Sequence, residues 1–222
     1  MCTYKYNSID ETYININVFY SKIHLRNNMS EDRTIQTVIQ IREQFYEDTR
    51  KHVLFNKDKQ KFECGEVIQQ QIAFETLMQK TFWIVPNTNK VYFDYTVFKL
   101  YAIPENYETI VDRVLTFCTQ CANHFHYFEV HVNIESFTVS AAQRYKDIII
   151  MFCRECLVRD TRFTERLSGL YIYNTPNMIE HISAILMPLI PPDVRPKIQL
   201  YSKKQSLEMM KDNLNIIKEK RI

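Results

Sequence analysis

Glycine is almost missing from this chain: in 222 residues only Gly65 and Gly169 occur. A dinucleotide-binding G-x-G-x-x-G loop needs three closely spaced glycines, and a phosphate-cradling P-loop needs two, so neither can be built. The G-x-S-x-G elbow that presents a nucleophilic serine is excluded for the same reason. The chain is still long enough to bury about 70% of its unfolded surface and to fold without a disulfide or metal. Aromatic residues make up 13% of it, enough for a packed core and too many for general disorder. Lys and Arg number 28 against 26 Asp and Glu, a net +2. Dedicated nucleic-acid binders gather a basic excess on one face, so no nucleic-acid partner is expected.

The opening residues Met1–Asn7 place no apolar segment behind a basic one, unlike a secretory signal. The longest apolar runs, Ile148–Cys153 and Ile182–Ile190, fall well short of the ~20 residues of a membrane span. The expectation is a soluble, cytoplasmic protein with its six cysteines reduced.

Two zones divide the chain. Residues 1–80 read as mainly helical and polar. Ser30-Glu31-Asp32 supplies a cap and an acidic first turn, and Ile35, Val38, Ile39, Arg42, Phe45, Tyr46 and Val53 keep a helical period. Residues 56–61 read as a charged break, after which Gly65 precedes a second helix over Glu66–Lys80. From residue 81 strands and helices alternate. Strands are predicted over Thr81–Val85, Val91–Ile103, His126–Ile134, Leu170–Tyr173 and Lys197–Tyr201. Helices are predicted over Tyr107–Cys121, Ser140–Leu157, Asn177–Leu189 and from about Gln205 onward. Such alternation implies an α/β fold, a mostly parallel sheet flanked by helices, over residues 81–222.

Four segments in order carry a resemblance. They are Phe163-Thr164-Glu165-Arg166-Leu167, then Leu170–Pro176, then Met187-Pro188-Leu189-Ile190, then Pro196-Lys197-Ile198-Gln199-Leu200. Over about residues 90–210 the chain resembles the CRAL-TRIO lipid-binding family. That family shows a Tyr-Pro-Glu-Arg helix end, a strand ending Asn-Ala-Pro, a gate helix finishing Lys-Pro-Phe-Leu, and Lys-Ile opening a strand. Phe163-Thr164, Thr175 and Met187-Pro188 depart from those motifs, and the Asp usual after the middle strand is Asn133 or Glu135 here. The resemblance to the phosphatidylinositol transfer proteins of the family implies a headgroup site at Glu165 and Lys197, 32 positions apart. A Thr expected three residues before that Lys is replaced by Val194. Read as residues alone, the two charges are equally an ion pair or a solvated pair. The resemblance also implies a gate helix lining a lipid cavity through Met178, Ile179, Ile182, Ile185, Leu186 and Leu189; an ordinary core helix has the same pattern.

Other constellations point to other chemistry. Cys118-x-x-Cys121 and Cys153-x-x-Cys156, with His124, His126 and His131 nearby, have ligand types suited to zinc. Both pairs fall within helices, and Cys118 and Cys156 take apolar positions there, where free cysteine is commonly buried; no metal or other cofactor is expected. A thioredoxin-like role needs its first Cys at a helix N-terminus, which Cys118 is not. His181 sits on the gate helix with no assignable nucleophile beside it. The last helix carries Lys203, Lys204, Lys211, Lys218, Lys220 and Arg221 beside an apolar stripe of Leu207, Met210, Leu214 and Ile217. It either docks on its own domain or makes peripheral contact with an anionic membrane, and docking is the more common use of such a stripe.

The functional expectation is a non-enzymatic lipid-binding or lipid-transfer protein that holds one phospholipid or other hydrophobic molecule between sheet and gate helix. The alternative is a protein-interaction scaffold, like the divergent CRAL-TRIO domains found beside Rho GTPase-activating modules.

Overall fold

Side chains alternate across a strand, so each face of a sheet is written in every second residue. The computed structural model describes residues 33–49, 57–160 and 162–214. In it, β1 (Phe82–Ile84), β2 (Lys90–Asp94), β3 (Phe128–Asn133), β4 (Leu167–Thr175) and β5 (Ile198–Ser202) form one sheet in chain order. β1 pairs antiparallel with β2, and β2 through β5 run parallel. Phe93, Val130, Val132, Leu170, Ile172, Ile198 and Leu200 share one face and meet the crossover helices there. Tyr92, His131, Tyr171, Tyr173 and Tyr201 share the other.

The remaining elements fit between these strands. Helix α1 spans 33–49, followed by α2 (Lys57–Gln71), α3 (Phe74–Thr81), α4 (Tyr95–Tyr101) and α5 (Tyr107–Phe125). Beyond β3 come α6 (Val139–Arg144), α7 (Lys146–Arg159) and α8 (Phe163–Arg166). Helix α9 (Ile179–Leu186) joins β4 to β5, and α10 (Lys203–Leu214) follows β5. The α/β class is as the sequence implies. Val38, Ile68, Leu77 and Met78 of α1 to α3 lie in the same buried cluster as Tyr101, Leu115 and Phe128, so the early helices pack into the core of the sheet.

Several boundaries differ from the sequence reading, each for a local reason. Within the β-branched and aromatic run 95–103, Tyr95–Tyr101 is helix α4, because the Asp94 side chain accepts hydrogen bonds from Thr96 N at 2.8 Å and Thr96 Oγ1 at 2.6 Å and caps a helix start. Residues 57–61 are not a break but the first turn of α2, held by Arg144–Asp58 at 2.6 Å and Lys59–Glu63 at 3.7 Å. Gly65 lies inside α2, where a Cβ would stand 2.9 Å from Ile103 Cγ2 and 3.2 Å from the Tyr101 carbonyl oxygen; its role is close approach, not helix initiation. The helix read over Glu66–Lys80 is interrupted at Ala73, which is extended (φ −54, ψ 127). The one read over Ser140–Leu157 divides at Tyr145 (φ −97, ψ 12). Pro188 lacks an N–H, and α9 gives way to a 3₁₀ turn, Met187–Leu189. β4 is longer than the Leu170–Tyr173 core suggests, and Lys197 ends a 3₁₀ turn (Arg195–Lys197) instead of opening β5. The cap at Ser30–Asp32, Val53, and Ile217 onward in the last helix lie outside the described residues.

Helix α10 packs on the second face of the sheet, where Met209 and Met210 meet Tyr171, Tyr173 and Tyr201. Leu207, read as part of the docking stripe, is 58% exposed instead. Buried Ser206 fixes the helix start: its Oγ donates to Ser202 O at 2.8 Å and accepts from Asn174 N at 2.7 Å. On this face Gly169 leaves room for the Tyr171 ring, which a Cβ would meet at 2.6 Å.

Candidate functional site

Protein interiors are packed with few voids larger than a water molecule, yet a cavity of about 480 Å³ lies between the first face of the sheet and its helices. Its floor comes from the alternating residues: Phe93 of β2, Val130 and Val132 of β3, Leu170 and Ile172 of β4, Ile198 and Leu200 of β5. The roof is α5 with Ile110, Val111 and Val114, α7 with Ile148, Ile149 and Phe152, and α9 with Ile179, Ile182 and Leu186. Tyr95, Phe137 and Tyr145 add aromatic rings to the wall, with the Tyr95 and Phe137 rings edge to face at 4.7 Å. Pro191, Arg195 and Leu200 also line it, and Leu200 is 46% exposed.

Charge is scarce in this lining. The polar contributors are Thr164, Ser183, Arg195, the two tyrosine hydroxyls, and the thiols of Cys153 and Cys156. Burial pushes the Tyr145 hydroxyl up to about 12 and the Tyr95 hydroxyl higher. It also pushes the Cys156 thiol up to about 12 and raises Cys153. A thiol held protonated is a poor nucleophile and a poor metal ligand, so these groups act as neutral wall. Cys156 also donates to Phe152 O at 3.0 Å, as a helical thiol commonly does.

The residues named for the gate divide. Ile179, Ile182 and Leu186 line the cavity, and Ile182 is buried. Met178 is 51% exposed, Ile185 packs against the main core, and Leu189 is half-buried. Ile190, apolar in the same run, completes the lined face together with Met187 and with Ser183, which the sequence reading passed over. Their spacing with Ile179, Ile182 and Leu186 is that of one helical stripe, so the signal was available in the period alone.

The two proposed headgroup residues have different surroundings. Lys197 Nζ donates to the carbonyls of Thr164 and Leu167, both at 2.7 Å, and so ties the 3₁₀ turn before β5 to the α8–β4 junction. Glu165 is exposed and lines a separate surface depression with Ala122, His126, Tyr127, Arg162 and Arg166. Asp193 completes the junction: a hydrogen bond from Thr164, with the nearby Lys197 ammonium, holds its carboxyl below the usual range.

The cysteines gather where α5 packs on α7, and the histidines lie apart from them. Cys118 and Cys121 lie on α5, Cys153 and Cys156 on α7, and burial raises all four thiols. His131 is on the opposite face of the sheet from them, His126 caps α5 in the left-handed region (φ 70), and His181 is exposed. Among the described residues no three His, Cys, Asp or Glu side chains are placed to hold a metal ion. Nor is any helix among them long and apolar enough to cross a membrane.

A family model described as the CRAL/TRIO domain matches residues 104–217, more than half of the chain. No curated protein matches it.

Proposed function

The chain belongs to the CRAL/TRIO domain family, a family of lipid-binding domains, and from that premise we propose that it is a non-enzymatic carrier of one hydrophobic molecule. The observation that carries this reading is the cavity of about 480 Å³ beneath α9, with a volume typical of small-molecule sites and an almost wholly apolar lining. A ligand there is stabilised by removal of its apolar surface from water, about 25 cal/mol per Å², with no charged group of the roof among the described residues that line it. Transfer is part of the same proposal: the roof helix α9 lies between Pro176 and Pro188, and a ligand would enter and leave by its displacement.

The phosphoinositol assignment at Glu165 and Lys197 stands apart from this core reading. Two of the three Lys197 ammonium donors are spent on carbonyls at 2.7 Å, which leaves one for a phosphate. A second reading, a protein-interaction scaffold, has one observation in its favour: Ile150, Leu157 and Val158 are exposed on α7, Val158 by 72%.

Titration with an uncharged fluorophore that brightens in apolar surroundings separates the two readings. Saturable enhancement at one probe per chain is expected for a carrier. Enhancement that grows linearly without saturation, or none, favours the scaffold.

A further inference from the structure

The two sides of helix α7 differ in what they meet. Inward, Ile148, Ile149 and Phe152 form part of the cavity roof. Outward, Asp147, Ile150, Arg154, Leu157 and Val158 are exposed among the described residues. A single exposed apolar residue is ordinary on a protein surface. Here Ile150 and Leu157 share one stripe with Asp147 and Arg154, at successive intervals of three, four and three residues, and Val158 flanks it. That is the spacing with which one helix presents a continuous seam to another.

The charges on this seam are self-complementary. Arg154 bonds Glu155 Oε1 through Nε at 3.2 Å and Nη2 at 3.1 Å, which leaves Nη1 for a second acid. The neighbouring charges are engaged at the flanks: Arg159 pairs with Asp112 at 2.6 Å, and Asp160 with Arg166 at 3.1 Å. Let two copies of α7 lie antiparallel about a two-fold axis level with Phe152. Ile150 of one then stands beside Leu157 of the other, and Asp147 beside Arg154. Each pairing is offset along the axis by about 4.5 Å, less than one helical turn and within reach of these side chains. Parallel alignment would instead set Asp147 against Asp147 and Arg154 against Arg154.

From this seam we infer that α7 is a docking surface for a second copy of the chain, paired antiparallel across a two-fold axis. An isologous contact requires one patch that fits its own image, and the placing of opposite charges on either side of Ile150 meets that requirement. The contact is confined to one helix of 14 residues, about 21 Å long. That is small for a protein interface, so the dimer is weak and forms with rising concentration. The seam uses no cavity-lining residue and none of α9, and the inference stands independently of what the cavity carries.

Sedimentation of the full chain over about 10–500 µM, the range in which a small interface becomes populated, tests this. The average mass should climb toward that of two chains. Leu157→Asp, with its fold checked by circular dichroism, should weaken association at least about tenfold, because it sets a carboxylate against Ile150. Asp147→Arg and Arg154→Asp should each leave a monomer, since each brings like charges together. An equimolar mixture of these two variants should associate again, and native mass spectrometry should find the mixed dimer and neither pure one. A chain that stays monomeric over the whole range overturns the inference and leaves the stripe to a partner of other sequence. Association that survives Leu157→Asp, or both single charge changes, places the contact elsewhere and also overturns it. Failure of the mixture to associate, where the unaltered chain does, overturns the antiparallel pairing.

Discussion

Leu186→Asp is expected to lower affinity for an apolar probe by a hundredfold or more while far-ultraviolet circular dichroism stays unchanged. Leu186 lines the cavity from α9 and is only half-buried, so in the unliganded chain a carboxylate there can turn to water and the fold survives. A ligand must strip that water away. Among the described residues no cation of the roof lines the cavity to pair with the new charge, and an uncompensated buried carboxylate costs about 3–5 kcal/mol, two to three orders of magnitude in affinity. His181→Asp is the control: His181 is exposed on the same helix, and its replacement should leave binding as it was. Unchanged affinity in Leu186→Asp would show that α9 does not wall the binding space.

His131→Ala is expected to destabilise the fold by about 3–5 kcal/mol, the range for removing a large buried ring. His131 is fully buried on the α10 side of the sheet, stacked on Tyr171 at 4.7 Å and Tyr173 at 5.9 Å. Its Nδ1 lies 2.8 Å from Tyr173 Oη and its Nε2 3.1 Å from the Glu129 carboxylate, so truncation also takes a partner from each. The same residue sets a pH dependence. Burial disfavours the imidazolium more than the Glu129 carboxylate supports it, and Lys90 opposes it further, so the His131 pKa is lowered from its ordinary value near 6.5. The unfolded chain then takes up a proton that the native chain resists. Stability is full above about pH 6.5, the unfolded value, and is lost as the pH falls below it toward the lowered native value. Glu129, whose own pKa is lowered mainly by the His131 hydrogen bond, adds a loss at more acid pH. Urea midpoints at pH 7.5 and 5.5 measure both effects. The unaltered chain should lose stability between them through His131, and His131→Ala should lose less over that interval. An equal loss in both would show that His131 is not the titrating group.

The sequence carried the strands that lie on the cavity because alternation needs no tertiary information. Phe128, Val130 and Val132 announce one face of β3, and Ile198 and Leu200 one face of β5. Helix α9 was legible in its period, which places Ile179, Ile182 and Leu186 on one stripe; Met178 and Ile185 are apolar but fall off it. What the period cannot supply is the distance between a helix and the sheet. Ile110, Val111 and Ile148 read as ordinary core residues, and only the standing-off of α5, α7 and α9 from the sheet turns them into cavity wall. The run after Asp94 was misread because its β-branched and aromatic residues suit a strand, while one side-chain oxygen bonded to Thr96 decides for helix. The aromatic face around His131 was invisible for another reason. Tyr92, His131 and Tyr171 come from three strands and meet only through parallel register.

Native mass spectrometry of the full chain, purified without detergent, tests most directly whether the cavity carries a hydrophobic molecule. One additional mass of several hundred daltons per chain is expected, removed by organic extraction and restored by adding back the extract. A chain that shows only its own mass, and gains none when single-chain or two-chain lipids are offered, would contradict the carrier assignment while leaving the fold as described.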